Sequence, residues 1–235
     1  METKLKVVLL RHTSDPERVC AAAARQCYSS AGVAELQEKM TDEQVVKLIN
    51  QVIRSGHHST IEHASFTFAV EGISRACSHQ LVRHRVASFS QQSQRYVNAK
   101  DVAYVIPPKI RAKPELKEKY EAFMAQAQKV YNELADAGIE KEDARFVLPN
   151  AAETRLVVTM NARELLHFFE LRTCNRAQWE IHLLANKMLE ECRKVAPNIF
   201  RHAGPSCETE KICWEGKLAC DRWKGVPGAE VRERE

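Results

Sequence analysis

Apolar and polar positions alternate along the chain in two rhythms, and the changes between them mark out the elements. The opening KLKVVLL is apolar and valine-rich, which predicts a strand, and Ser14, Asp15 and Pro16 supply a helix start ahead of ERVCAAAARQCY. A strand feeding a helix predicts an α+β (mixed α/β) core. Thr41, with Asp42 and Glu43, predicts a capped helix with an acidic first turn; VVKLINQVIRSG then keeps helical spacing until Gly56. FTFAVEG, residues 66–72, alternates as a strand does, and residues 73–84 read as a helix whose end delivers a basic loop. Pro107, Pro108 and Pro114 bracket a turn, after which a Glu- and Lys-rich amphipathic helix runs to Gly138 as a solvated flank. TRLVVTMN, residues 154–161, predicts a strand; ARELLHFFELR and AQWEIHLLANKMLEECRKV predict two helices ending before Pro197.

Composition narrows the class. The 235 residues, 44% hydrophobic and 28% charged, have a globular balance, and the net charge of +4 is too mild for a chain that coats nucleic acid. Anion binding must therefore come from local clusters, which points to a small anionic ligand. No apolar run is long enough to span a membrane, and the N-terminal stretch shows no signal-peptide cleavage pattern, so the expectation is a cytoplasmic protein. The eight cysteines read as thiols in a reducing compartment. His202, Cys207, Cys213 and Cys220 offer four donors, but their spacing is not that of paired CxxC ligands, and no metal is assigned. The expected organisation is one domain over residues 1–200, followed by a cysteine-containing tail, 201–235, packed on it.

Three clusters carry the chemistry. In HHSTIEH, His58 and His63 would point about 140° apart on a helix, which does not suit a metal; a bland alternative is a buried Glu62–His63 pair. RHRVASFSQQSQRY, residues 83–96, holds three arginines, a histidine, three serines and three glutamines with no carboxylate. Ile73, Cys77 and Leu81 should dock the helix before it on the core, with Gln80, Arg83 and His84 sharing one side. A nucleic-acid module would interleave aromatics on such a face, and here only Phe89 and Tyr96 flank the arginines. In NARELLHFFELR, Asn161 and Arg172 fall within about 20° of each other on a helix, with Arg163 and His167 on the opposite side. A helix with two polar stripes and two apolar ones predicts burial all round, between two ligand sites at an oligomer interface.

The basic segment resembles the RHR-x7-S signature of the flavin-dependent thymidylate synthases, with Arg83-His84-Arg85 followed by Ser93. Residues 58–68 are similar to that family's HxTxxEHxxFTF, and residues 161–181 to its NARxLxxFxxLRxxxxAQWEI. The resemblance implies a homotetramer, with active sites at subunit interfaces, that converts dUMP to dTMP. The methylene comes from 5,10-methylenetetrahydrofolate, and the electrons pass from NADPH through FAD. By position it implies flavin contacts at Thr60, Arg83, His84, Arg85, Gln91, Asn161, Arg163 and His167. It implies dUMP contacts at Gln80, Leu81, Val82 and Arg83, at Gln91, Gln92, Ser93, Gln94 and Arg95, and at Arg145. Arg172 is implied as the arginine that activates the uracil ring. The sequence departs from the commoner signature, which has Asn, Glu and Leu where Ser90, Gln91 and Gln92 stand; His167 stands where an asparagine can occur.

The chemistry agrees with those implied roles. No cysteine falls in a ligand-binding cluster, so uracil must be activated without thiol addition. A fixed guanidinium at Arg172 can stabilise charge on the N3/O4 edge, while Ser93 and Arg95 are suited to holding a phosphate.

Overall fold

The computed structural model describes residues 1–233, so the last two residues of the expected tail lie outside the described residues. The chain runs through β1 (Lys6–His12), α1 (Pro16–Gln26), α2 (Val33–Lys39), α3 (Asp42–Arg54), a 3-10 segment (His58–His63), β2 (Ser65–Ser74), α4 (Arg75–Leu81) and β3 (Ala87–Gln91). It continues through α5 (Pro108–Arg111), α6 (Pro114–Asp136), α7 (Lys141–Ala144), β4 (Glu153–Asn161), α8 (Ala162–Arg172) and α9 (Trp179–Val195). The last stretch holds α10 (Ser206–Thr209), β5 (Ile212–Cys213) and β6 (Glu230–Val231). Four strands form a sheet in the order β1-β2-β4-β3, while β5 and β6 pair in parallel. The mixed α/β class, with a sheet and long helices, is the one expected.

The chain divides into two units: residues 1–6, 69–83 and 89–157 make the first, and residues 7–68, 84–88 and 158 onward the second. In the first, β2 ends at a helix start because Ser74 stays extended and its hydroxyl accepts the Cys77 N–H at 3.0 Å. Ile73, Cys77 and Leu81 are fully buried, so α4 is docked as its apolar side predicts. The helix is shorter than residues 73–84, however: it stops at Leu81, and Arg83 is exposed while His84 is buried. The basic stretch is also not simply a loop, since its centre is β3. Gln92 N–H donates to Arg155 O at 2.9 Å just beyond the strand. β3 is the last strand in the sheet order, where polar residues are tolerated, so its sequence carries no apolar signal. At Gly72 (φ +75°) a Cβ would lie 2.0 Å from Lys4 O, so only glycine fits.

α6 is more than a solvated flank. Met124, Ala127 and Tyr131 form a buried stripe at spacings of three and four, and the Tyr131 hydroxyl accepts the Ala99 N–H at 3.1 Å. The proline-bracketed turn before it contains the short α5.

In the second unit, α3 has the expected start: Thr41 and Gln44 form a reciprocal capping box, and Val45, Ile49 and Val52 are buried. α1 begins at Pro16, but Asp15 sits in the left-handed region (φ +44°), and its carboxylate accepts from Arg18 Nε instead of capping. α2, with no buried residue, has no apolar face for a sequence pattern to show. The core is aromatic: Phe66, Phe68, Phe168, Phe169 and Phe200 are all fully buried, and Phe66 and Phe169 both meet the Phe200 ring edge-on. The stretch after residue 200 is laced to α8 by Arg222, whose Nη1 donates to Thr173 O (2.8 Å) and whose Nε donates to Glu208 Oε1 (2.6 Å).

Candidate active site

α8 starts where it does because Asn161 stays extended and its side chain accepts the Glu164 backbone N–H at 2.9 Å. Such a cap is worth about 1 kcal/mol. It sets the first turns of α8 against a cavity of about 770 Å³, whose polar lining includes His58, Glu62, Asn161, Arg163, Glu164, His167 and Glu170. Ile53, Val86, Leu166 and Ile199 supply its apolar wall, and His202 and Glu210 close another side. The two-stripe projection of α8 therefore fails: Asn161 precedes the helix as its cap and shares this cavity with Arg163 and His167. In the single chain Arg163 and His167 are exposed. Glu62 and His63 are not a buried pair either; both are exposed, and Glu62 accepts from Arg163 Nη1 at 2.6 Å.

His84 is 5% exposed, with Phe168 edge-on at 4.9 Å and His167 at 5.9 Å between ring centroids. Its Nδ1 lies 3.2 Å from Glu164 Oε1, and its Nε2 accepts from Arg172 Nε at 3.1 Å. Burial, then the neighbouring Arg172 and His167, push its pKa down to about 4. The ring is thus neutral at pH 7, and its contact with Glu164 is a hydrogen bond of a neutral imidazole, not an ion pair. Burial also raises the Glu164 carboxyl above its ordinary range. Thr60 and Arg85, in the same unit, are not among the cavity-lining residues; the Thr60 hydroxyl donates to His57 O at 3.1 Å.

The first unit has its own cavity, of about 360 Å³, lined by Arg75, Gln92, Ser93, Gln94, Glu153 and Arg155 together with residues 97–103. Ser93 Oγ accepts the Arg95 N–H at 3.1 Å. Arg95 Nε pairs with Glu142 Oε2 at 2.6 Å, while Arg145 Nε donates to Glu142 O at 3.0 Å. Arg75 Nη2 donates to Gln92 O at 2.9 Å, but its buried Nε has no hydrogen-bond partner. Burial, and then Arg145 beside it, lower its pKa. Gln91 turns inward: its Nε2 donates to Ser78 Oγ and Thr154 Oγ1, each at 3.0 Å. Gln80 is half-buried, Val82 and Arg83 are exposed, and Leu81 is fully buried.

Arg75 and Glu164 were not singled out by the sequence reading, nor were the cavity residues Glu170 and Glu210. The one signal for Glu164 is its place one residue after Arg163 and directly before the apolar pair Leu165-Leu166; Arg75 gives none beyond following a capping serine.

A mixed α/β chain with a large, partly apolar cavity and a second, arginine-lined pocket has the form of an enzyme with room for a bulky cofactor and an anionic substrate. The family model described as Thy1, thymidylate synthase complementing protein, matches residues 8–198. A flavin-dependent thymidylate synthase from Geobacter sulfurreducens is 53% identical over 220 residues, covering 93% of this chain and 94% of that protein. One from Clostridium tetani is 47% identical over 234 residues, covering 93% and 94%. The solved structure of the UMP/dUMP methylase PolB from Streptomyces cacaoi, bound with 5-Br dUMP, is similar with a TM-score of 0.76 at 27% identity. That likeness covers 85% of this chain and 94% of that one. The chain belongs to the Thy1 family, the flavin-dependent thymidylate synthases.

Proposed function

We propose that the chain methylates dUMP reductively to dTMP, with 5,10-methylenetetrahydrofolate as carbon donor, NADPH as reductant and FAD as the flavin. The observation that carries the mechanism is the Arg172–His84 contact. A guanidinium is always charged, and here a neutral, buried imidazole holds its Nε. Arg172 then stabilises negative charge on the N3/O4 edge of uracil as N3 loses its proton, which makes C5 nucleophilic. Among the described residues no cysteine lines either cavity, which supports activation without a thiol adduct. Burial pushes the Cys20 thiol up to about 12, far from a reactive thiolate.

The large cavity suits a flavin: an apolar wall for a flat ring system, with Asn161, Arg163 and His167 as polar groups to hold its edges and phosphates. When bound, the flavin supplies the hydride that completes the methyl group. Roles for Thr60, Arg83, Arg85 and Gln91 toward it rest on motif position. The orphaned Arg75 Nε, with Arg145 and the 92–94 backbone and side chains, suits the dUMP phosphate. PolB, bound with a dUMP analogue, supports that substrate.

Exposed Phe123, Phe146 and Tyr96 support a homotetramer that covers them. Free thiols throughout support a cytoplasmic location, and no described helix is long and apolar enough to cross a membrane.

The test is dTMP formation, followed by tritium release from labelled dUMP, with methylenetetrahydrofolate, FAD and NADPH. Turnover, and a yellow protein, are expected. A colourless preparation that cannot be loaded with FAD would overturn the reading.

A further inference from the structure

Glu164 is 8% exposed on a helix whose other buried residues are apolar. Its carboxylate meets His84 Nδ1 at 3.2 Å, while Arg172 Nε meets His84 Nε2 at 3.1 Å. A guanidinium has only hydrogens to offer, so Nε2 must be the bare nitrogen. The single ring proton therefore sits on Nδ1 and is donated to Glu164. The other tautomer would set two hydrogens against each other at Arg172 and a lone pair against the carboxylate, and a flipped ring would turn C–H groups to both partners.

We infer that Glu164 is a positioning residue: by accepting the Nδ1 proton it fixes the His84 tautomer and ring orientation that seat Arg172. The inference rests on the assignment of Arg172 to the uracil ring. The ionisable groups facing His84 are Glu164, His167 and Arg172, and burial first, then Arg172 and His167, favour the neutral ring. Glu164 thus acts on the arginine through a neutral histidine, as outer-shell acceptors orient ligating imidazoles elsewhere.

Glu164→Leu keeps the volume and removes the acceptor, whereas Glu164→Gln keeps a carbonyl oxygen in its place. In the FAD-loaded enzyme, E164L should lose about 10- to 100-fold in kcat with the dUMP KM within about threefold, and E164Q should recover most of that loss. Wild-type kcat in E164L, or equal impairment of the two variants, would sink the role of acceptor. Should E164L fold poorly, the wild-type protein decides alone. With 15N-labelled histidine, and His84 assigned from its loss in His84→Gln, a neutral Nδ1–H signal should persist at pH 6. An Nε2–H or doubly protonated signal there overturns the inference. Failure of the wild-type protein to make dTMP would count against the synthase reading instead, without altering the tautomer measurement.

Discussion

Arg172 hands its Nε hydrogen to His84 Nε2 at 3.1 Å, across 88 residues of sequence. The guanidinium is charged throughout the working pH range, and the neutral His84 acceptor fixes where that charge sits.

Arg172→Ala should leave flavin absorbance intact and reduce dTMP formation by about 10²- to 10³-fold, the scale of removing a preorganised donor to a developing anion. Arg172→Lys should not restore it, because an ammonium cannot both reach His84 and face a planar ring edge. A variant retaining most of its turnover would remove the ring-activation role.

Acid should destabilise the fold through His84. Its pKa falls from 6.5 to about 4 on folding, so below pH 6.5 the unfolded chain takes a proton that the fold refuses. Stability is complete above that range and is lost as pH drops from about 6.5 to about 4, by roughly 2 kcal/mol once solvent screening is allowed for. Glu164, raised by burial, works in the opposite sense as pH nears the carboxylate range. Melting curves of wild type and His84→Gln between pH 8 and 4 separate the two, and their difference in Tm should shrink toward acid. A difference independent of pH would contradict the assignment.

Gln91 stands where the family signature usually has a carboxylate, and the hydroxyls around it explain why glutamine suits this chain. Ser78 spends its one hydroxyl hydrogen on Arg75 O at 3.0 Å, so toward residue 91 it can only accept. Gln91→Glu would set oxygen lone pairs against each other in a site where Ser78 and Thr154 are 0% and 1% exposed. The expected cost is about 1 to 3 kcal/mol, read as a Tm lowered by several degrees. An unchanged Tm would show that the hydroxyls can reverse without penalty.

Ser93→Ala should keep turnover within about threefold while the dUMP KM rises about fivefold, the equivalent of one modest hydrogen bond. Its hydroxyl accepts the Arg95 N–H two residues on and so shapes a turn. Complete loss of turnover with normal dUMP affinity would instead make it a nucleophile.

The elements legible in the sequence are those with local causes. α3 has its capping box and a stripe at Val45, Ile49 and Val52; β2 alternates; α8 follows an asparagine cap. β3 carries no strand signal of its own, because pairing with β4, over sixty residues later, makes it a strand, and no residue of ASFSQ announces that. The site divides the same way. Asn161, Arg163 and His167 stand in one motif and line one cavity. The pairing of Glu62 with Arg163 spans 101 residues and that of Glu164 with His84 spans 80, so only the fold could reveal either.

His202 and Glu210 wall the large cavity, yet both lie beyond residue 198, where the family match ends. Truncation after residue 198 would therefore keep every motif residue yet open the cavity on that side, so the stretch beyond the family match shapes the chamber without adding to the motifs.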